Sequence, residues 1–269
     1  MRIGFIGGGN MATALIGGLL SPSGDRAPSI SVVEPLAAQR AALTDRYQLS
    51  CYESPSAQSL DVDVIVLAVK PQQMREAAAA CSAHIADKLV ISVAAGIRIE
   101  DLQRWLGGHP RIIRAMPNTP ALIGLGITGL CAAPGVNDAD RHAADRILRA
   151  AGETVWVATE DLIDAVTAVS GSGPAYVFRF IEAIEQAAID LGLPAADARR
   201  LTIATFVGAA QLASRSDDPP SVLRERVTSK GGTTAAALAT MEARGLGETL
   251  GLAVRAACER SRELGKSFG

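Results

Sequence analysis

Through the first half of the chain, short and almost purely apolar runs alternate with longer amphipathic stretches. Residues 3–6, 30–33, 64–69, 89–93 and 112–115 are brief and rich in Val and Ile. Strands covered by helices on both faces read this way, because neither face is left for polar side chains. Between them, residues 10–20, 36–46, 71–80 and 100–106 carry helical spacing. Pro71 fits the first turn of its helix, where a missing N–H costs no hydrogen bond. The repeat predicts an α/β fold with a doubly wound, mainly parallel sheet and right-handed crossovers. Residues 126–131, 138–151 and 154–157 read as a closing strand, helix and strand.

Beyond about residue 160 the strand signals stop. Residues 163–169, 175–191, 195–214, 220–227, 234–243 and 247–264 all read as helices. Gly192 and Pro194 end one and start the next, and Asp217-Asp218-Pro219-Pro220 breaks the following pair. The expected organisation is a Rossmann-type domain over residues 1–159 and an all-helical domain over residues 160–269. No fixed-period repeat or long linker interrupts either part.

The first of the apolar runs leads directly into Gly7-Gly8-Gly9-Asn10-Met11-Ala12, which opens a helix. A strand, a glycine loop and a helix in that order form the context a dinucleotide fingerprint requires. Gly7 allows the tight turn, Gly9 lets the backbone approach a pyrophosphate, and Ala12 allows helix and strand to pack closely. The helix start, from Asn10 and Met11 onward, offers free N–H groups and a positive dipole end to phosphate. Glu34 follows the second run, where a carboxylate would bond a ribose 2′-hydroxyl and repel a 2′-phosphate. Arg40 and Arg46 in the next helix argue the other way, and the choice between NADH and NADPH stays open. Ala68-Val69-Lys70-Pro71 and Ala94-Ala95-Gly96 end two more strands, where open α/β sheets place their ligands. These turns are expected to border the cofactor, with Lys70 either near its ribose or simply exposed. Met116-Pro117-Asn118-Thr119-Pro120 forms a rigid turn in which Asn118 either holds the nicotinamide amide or caps the turn.

Composition narrows the partners. At 269 residues the chain can hold two domains, and its net charge of −2 gives no basic footprint for nucleic acid or anionic membrane. Cys51, Cys81, Cys131 and Cys258 lie far apart and form no C-x-x-C pair, which excludes thioredoxin-like and zinc-ribbon chemistry. They are expected to be small hydrophobes in a reducing compartment. His84, His109 and His142 are isolated, so no metal site is expected. The N-terminus enters a strand at once, leaving no signal peptide. The apolar runs fall well short of the roughly 20 residues of a membrane span. A cytoplasmic, soluble protein is expected.

Two helical-half segments depart from ordinary helix surface: Ser170-Gly171-Ser172-Gly173-Pro174-Ala175-Tyr176, and Val227-Thr228-Ser229-Lys230-Gly231-Gly232-Thr233-Thr234. Each is either a plain turn and N-cap or an anion site of backbone N–H groups and hydroxyls. Together with the glycine loop, Ala68–Pro71, Ser92-Val93-Ala94-Ala95-Gly96 and Met116–Pro120, these segments resemble the pyrroline-5-carboxylate reductase family over nearly the whole chain. The resemblance implies hydride transfer from NADPH or NADH to the C=N bond of 1-pyrroline-5-carboxylate, giving L-proline. It implies a substrate carboxylate held by Ser229, Gly232, Thr233 and Thr234. Thr234 then matches the threonine whose hydroxyl meets the ring nitrogen, the one catalytic residue expected. It also implies a homo-oligomer, at least a dimer, built through the helical domain. Two places depart from the family pattern: Ser54-Pro55-Ser56 stands where an asparagine near the adenosine is common, and Glu34-Pro35 where many bacterial members are polar or basic.

Two rivals are weighed. A β-hydroxyacid-type dehydrogenase would use a lysine on the helix, but residues 175–191 contain none, and the chain has only Lys70, Lys88, Lys230 and Lys266. A dinucleotide sensor without catalysis would have no use for the hydroxyl-rich segment 228–234. The chemistry otherwise needs no strong base, since a protonated imine already accepts hydride.

Overall fold

The computed structural model describes residues 1–21 and 27–268. Eight strands form one sheet in the order β3-β2-β1-β4-β5-β6-β7-β8. They are β1 (Arg2–Ile6), β2 (Ser29–Val33), β3 (Ser50–Tyr52), β4 (Val64–Leu67), β5 (Leu89–Ser92), β6 (Ile112–Met116), β7 (Gly126–Ala132) and β8 (Gly152–Trp156). All neighbouring pairs are parallel except β6 with β7, where Ala115 faces Leu130 in antiparallel register. The expected mainly parallel, doubly wound sheet is therefore present, with one edge strand added. The short β3 escaped the sequence reading, because Ser-Cys-Tyr at a half-buried edge carries neither an apolar run nor alternation.

The central strands are buried on both faces, and successive residues serve opposite cores. Val64, Val66, Leu89 and Ile91 join Ile3, Phe5 and Leu15 on one side of the sheet. Ile65, Leu67 and Val90 join Met74, Ala78 and Leu102 on the other. The first core is covered by α1 (Asn10–Leu19) and α5 (Asp138–Leu148), the second by α3 (Pro71–Cys81) and α4 (Ile99–Trp105). The helix α2 (Ala37–Tyr47) follows β2 and packs on β3. Cys81 and Cys131 are buried in the second core, and burial pushes the Cys81 thiol up to about 11. All four cysteines are free.

The chain divides into two compact units, but not at residue 159. The first holds residues 1–172 and the chain from Ala256 onward; the second holds Gly173–Arg255. Residues 160–172 stay with the sheet because Ile163 and Ala168 are buried there, in α6 (Leu162–Val166) and the π-helical turn Thr167–Gly171. The last part of α11 (Leu246–Phe268) joins them for two reasons. The Ser261 hydroxyl donates to buried Asp164 at 2.6 Å, and Leu264 and Phe268 cover Gly96. Around Asp164 lies a buried charge cluster. Arg114, 2% exposed, donates to Glu160 at 2.8 Å, and Glu160 also accepts the Ile99 amide.

The second unit is helical: α7 (Gly173–Asp190), α8 (Ala195–Ser214), α9 (Pro220–Arg226), α10 (Thr233–Ala243) and the beginning of α11. It buries little of its own apolar surface. No residue of α7 is buried, and Phe178, Leu201, Val207 and Leu212 are each more than half exposed. No described helix is long and apolar enough to cross a membrane.

Candidate functional site

The loop after β1 lies where β1 separates β2 from β4, the point at which the strand order changes direction. Open α/β sheets bind ligands in the crevice at such points. Gly7 turns the chain with φ +96°, and its amide donates to Val33 O at 2.8 Å. A Cβ at Gly7 would sit 2.8 Å from the carbonyl oxygen of Ala68, so glycine is required there by the fold. Gly9 is different. It is the exposed N-cap of α1 with φ −71°, and a Cβ there would meet nothing within 4 Å. The protein itself has no need of glycine at that position.

Asn10, Met11 and Ala12 form the first turn of α1, and their amides have no partner inside the helix. Ala12 is fully buried against the sheet, Met11 is half-buried and Asn10 exposed. An open face at Gly9 beside unpartnered amides at a positive helix end fits a pyrophosphate. The residues present therefore suit a dinucleotide.

Glu34 does not project into solvent. It is 8% exposed, and its two carboxylate oxygens accept the amides of Gly8 and Leu36, each at 2.9 Å. Gln39 holds the same glycine from the other side, its side chain donating to Gly8 O at 2.6 Å. Sequence reading missed Gln39; its place in the first turn of α2, facing the end of β2, is the only signal for it. Arg40 donates to Glu34 O and Pro35 O, both at 2.8 Å, and Arg46 lies over the Tyr47 ring. In the departing loop after β3, the Ser56 and Ser59 hydroxyls bond each other, and Ser59 is buried.

The other turns fall at the same sheet end. Ala68 and Val69 are half-buried, and Lys70 is exposed as the N-cap of α3, followed by Pro71 at its first position. Ala94 is buried and Ala95 half-buried. Gly96, with φ +74°, is covered by the C-terminal helix, which accounts for the glycine through packing. Asn118 is 9% exposed; its oxygen accepts the Ile127 amide at 3.0 Å, and its nitrogen donates to Ser170 O at 3.1 Å. It braces β7 and the π-helical turn rather than capping its own turn through the side chain. That turn also replaces the expected glycine-serine elbow: Ser172 N donates to Thr167 O, and the Ser170 hydroxyl to Val166 O. These groups are spent inside the chain rather than presented to an anion.

The second segment keeps its polar groups outward. Gly231 has φ +73°, Gly232 is the N-cap of α10, and Gly232 N donates to Ser229 O. Ser229 and Thr233 are exposed and Thr234 is half-buried. The Thr228 hydroxyl is spent on Arg224 O, whereas those of Ser229, Thr233 and Thr234 have no hydrogen-bond partner among the described residues. Amides at the start of an eleven-residue helix together with three uncommitted hydroxyls suit a carboxylate. Among the described residues no group of three or more His, Cys, Asp or Glu could hold a metal ion.

Comparison with known proteins bears on the whole chain. Residues 160–264 match the family model described as pyrroline-5-carboxylate reductase dimerisation, and residues 2–96 match that of NADP oxidoreductase, coenzyme F420-dependent. The chain is 44% identical over 269 residues to the pyrroline-5-carboxylate reductase of Pseudomonas aeruginosa, covering 100% of this chain and 98% of that one. It belongs to the pyrroline-5-carboxylate reductase family. The solved pyrroline-5-carboxylate reductase of Coxiella burnetii superposes with TM-score 0.92 at 38% identity, covering 98% of each chain. The Plasmodium falciparum pyrroline carboxylate reductase, solved with NADP bound, gives 0.86 at 30% identity over the same shares. As a member of this reductase family, the chain is an NAD(P)H-dependent oxidoreductase with a Rossmann-type nucleotide-binding unit.

Proposed function

We propose that this protein reduces 1-pyrroline-5-carboxylate to L-proline, the last step of proline synthesis, as a cytoplasmic homo-oligomer. The observation that carries the reading is the end-to-end match to a reductase of that name, 44% identical over all of this chain and 98% of that one. Bound NADH or NADPH supplies the hydride for the imine carbon. Gly7, Gly9, Asn10, Met11 and Ala12 hold the pyrophosphate on the start of α1. Glu34, Ala68–Pro71, Ala94, Ala95 and Gly96 line or support the rest of the dinucleotide site, and Asn118 keeps the neighbouring turn rigid. Ser229, Gly232, Thr233 and Thr234 hold the substrate carboxylate at the start of α10. The Thr234 hydroxyl faces the ring nitrogen and relays its proton. With one hydride on carbon and one proton on nitrogen the C=N bond becomes CH–NH, so no metal or strong base enters.

Dimerisation through the helical unit is supported by its match to a dimerisation family and by apolar residues such as Phe178 and Leu212 that the isolated chain leaves exposed. Burying such side chains contributes about 25 cal/mol per Å² of apolar surface. The test is oxidation of NADH or NADPH on adding racemic pyrroline-5-carboxylate. Turnover with at least one cofactor is expected; none with either, despite dinucleotide binding, would leave the chain a sensor.

A further inference from the structure

The end of β2 is where a dinucleotide-binding sheet reads the adenosine ribose. A 2′-phosphate needs anion donors there, which come from free backbone amides at the helix start and from arginine or lysine side chains. In this chain the start of α2 already faces a carboxylate of the protein, and the nearest guanidinium is already bonded to the protein's own carbonyls.

The α2 N-cap is Leu36, which has no side chain to cap the helix, and the first turn carries no acidic residue. The anion at that helix end is instead the Glu34 carboxylate, one oxygen of which accepts the Leu36 amide while the other accepts the Gly8 amide. Arg40, the cation nearest in sequence, is committed to Glu34 O, to Pro35 O and to Glu53 at 3.6 Å. Arg46 stands at the far end of α2, roughly 14 Å along its axis from the start. A second anion would meet a fixed carboxylate beside the start of α2 and a guanidinium already committed to backbone carbonyls and to Glu53. A ribose hydroxyl meets a carboxylate that keeps spare acceptor positions, because each oxygen has two lone pairs and only one is used.

We infer that this chain selects the dinucleotide without a 2′-phosphate, and that Glu34 is the residue that sets the choice. The inference deepens the reductase reading and rests on it only for the presence of a dinucleotide. Glu34 acts in two ways. It fills the anion position at the start of α2, and it pins Gly8, so the ribose site and the pyrophosphate loop share one carboxylate.

Calorimetric titration of the full-length protein tests this without the imine substrate, using NAD⁺, NADP⁺, ADP-ribose and 2′-phospho-ADP-ribose. Wild type is expected to bind NAD⁺ at least tenfold more tightly than NADP⁺, with the same order for the two ribose fragments. Glu34→Ser, which removes the carboxylate and frees both amides, is expected to tighten NADP⁺ at least tenfold. Glu34→Gln, which keeps the length and removes the charge, falls between. Equal or tighter binding of NADP⁺ by wild type would overturn the proposal, as would a NAD⁺/NADP⁺ ratio unchanged in both variants. The ratio is taken on one sample, so a partly unfolded variant lowers both affinities and leaves it intact. A chain that binds NAD⁺ selectively but never reduces the imine would sink the reductase reading and leave this one standing. A chain that turns the imine over equally well with either cofactor, binding both alike, would do the reverse.

Discussion

The substitution Gly9→Ala adds one methyl group at a point where the protein has nothing to collide with. No atom lies within 4 Å of the new Cβ, and φ is −71°, an ordinary value for alanine. Two small effects act on folding. Alanine is the poorer N-cap by about 0.5–1 kcal/mol, and it removes unfolded-state freedom that contributes about 0.4–1 kcal/mol in the opposite direction. They nearly cancel, so the melting temperature of the ligand-free protein should move by less than about 4 °C. Binding behaves differently if the pyrophosphate rests on this backbone. The methyl holds it away from the first-turn amides and costs one or two charge-assisted hydrogen bonds of about 1.5–3 kcal/mol each. A loss of about 2–4 kcal/mol weakens the dinucleotide roughly 30- to 1,000-fold. Calorimetry against NAD⁺ and thermal melting of the same sample read the two effects separately. Affinity within threefold of wild type, with an unchanged melt, would refute the placement of the pyrophosphate at Gly9.

Other substitutions probe neighbouring claims. Gly7→Ala, forced into φ +96° with its Cβ 2.8 Å from Ala68 O, should lower stability by about 2–4 kcal/mol, seen in denaturant melts without ligand. Thr234→Ala should cut turnover at least tenfold while NAD⁺ affinity stays within twofold; unchanged turnover would remove the hydroxyl from proton delivery. Arg114→Met removes the buried cation bonded to Glu160 and leaves Asp164 only Arg98, at 3.8 Å, and should cost about 3 kcal/mol of stability. Asp140 is held below the usual carboxylate range by the Arg111 guanidinium, with the Asn137 amide helping. A depressed folded-state value means stability that is present above the unfolded value and lost as pH falls through the folded one. Asp140→Asn should therefore cost about 1.5–3 kcal/mol at pH 7, and the gap to wild type should close below about pH 4.

Much of the sheet was legible because burial on both faces forces continuous apolar runs, as in Val64–Leu67 and Leu89–Ser92. The glycine loop was legible because a strand, a tight turn and a helix impose residue types locally. What could not be read depends on partners distant in sequence. Glu34 was recognised as the carboxylate at the end of β2, but its inward turn onto Gly8 joins residues 26 apart. The return of α11 to the sheet unit hangs on Ser261 and Asp164, 97 residues apart, and no local periodicity encodes that pair. Asn118 and the π-helical turn escaped for the same reason, since each polar group is satisfied across the fold rather than by its neighbours. The segment 228–234 stood out in sequence and keeps its hydroxyls outward in the structure.

The central claim is a hydride passed to an imine carbon, and isotope transfer tests it most directly. The full-length protein would be incubated with pyrroline-5-carboxylate and NADH carrying deuterium at the transferred position of C4, in ordinary water. The product should be L-proline bearing one deuterium on the former imine carbon and none on nitrogen after exchange. Unlabelled proline, or a dinucleotide that binds and stays reduced in the presence of the imine, would contradict it.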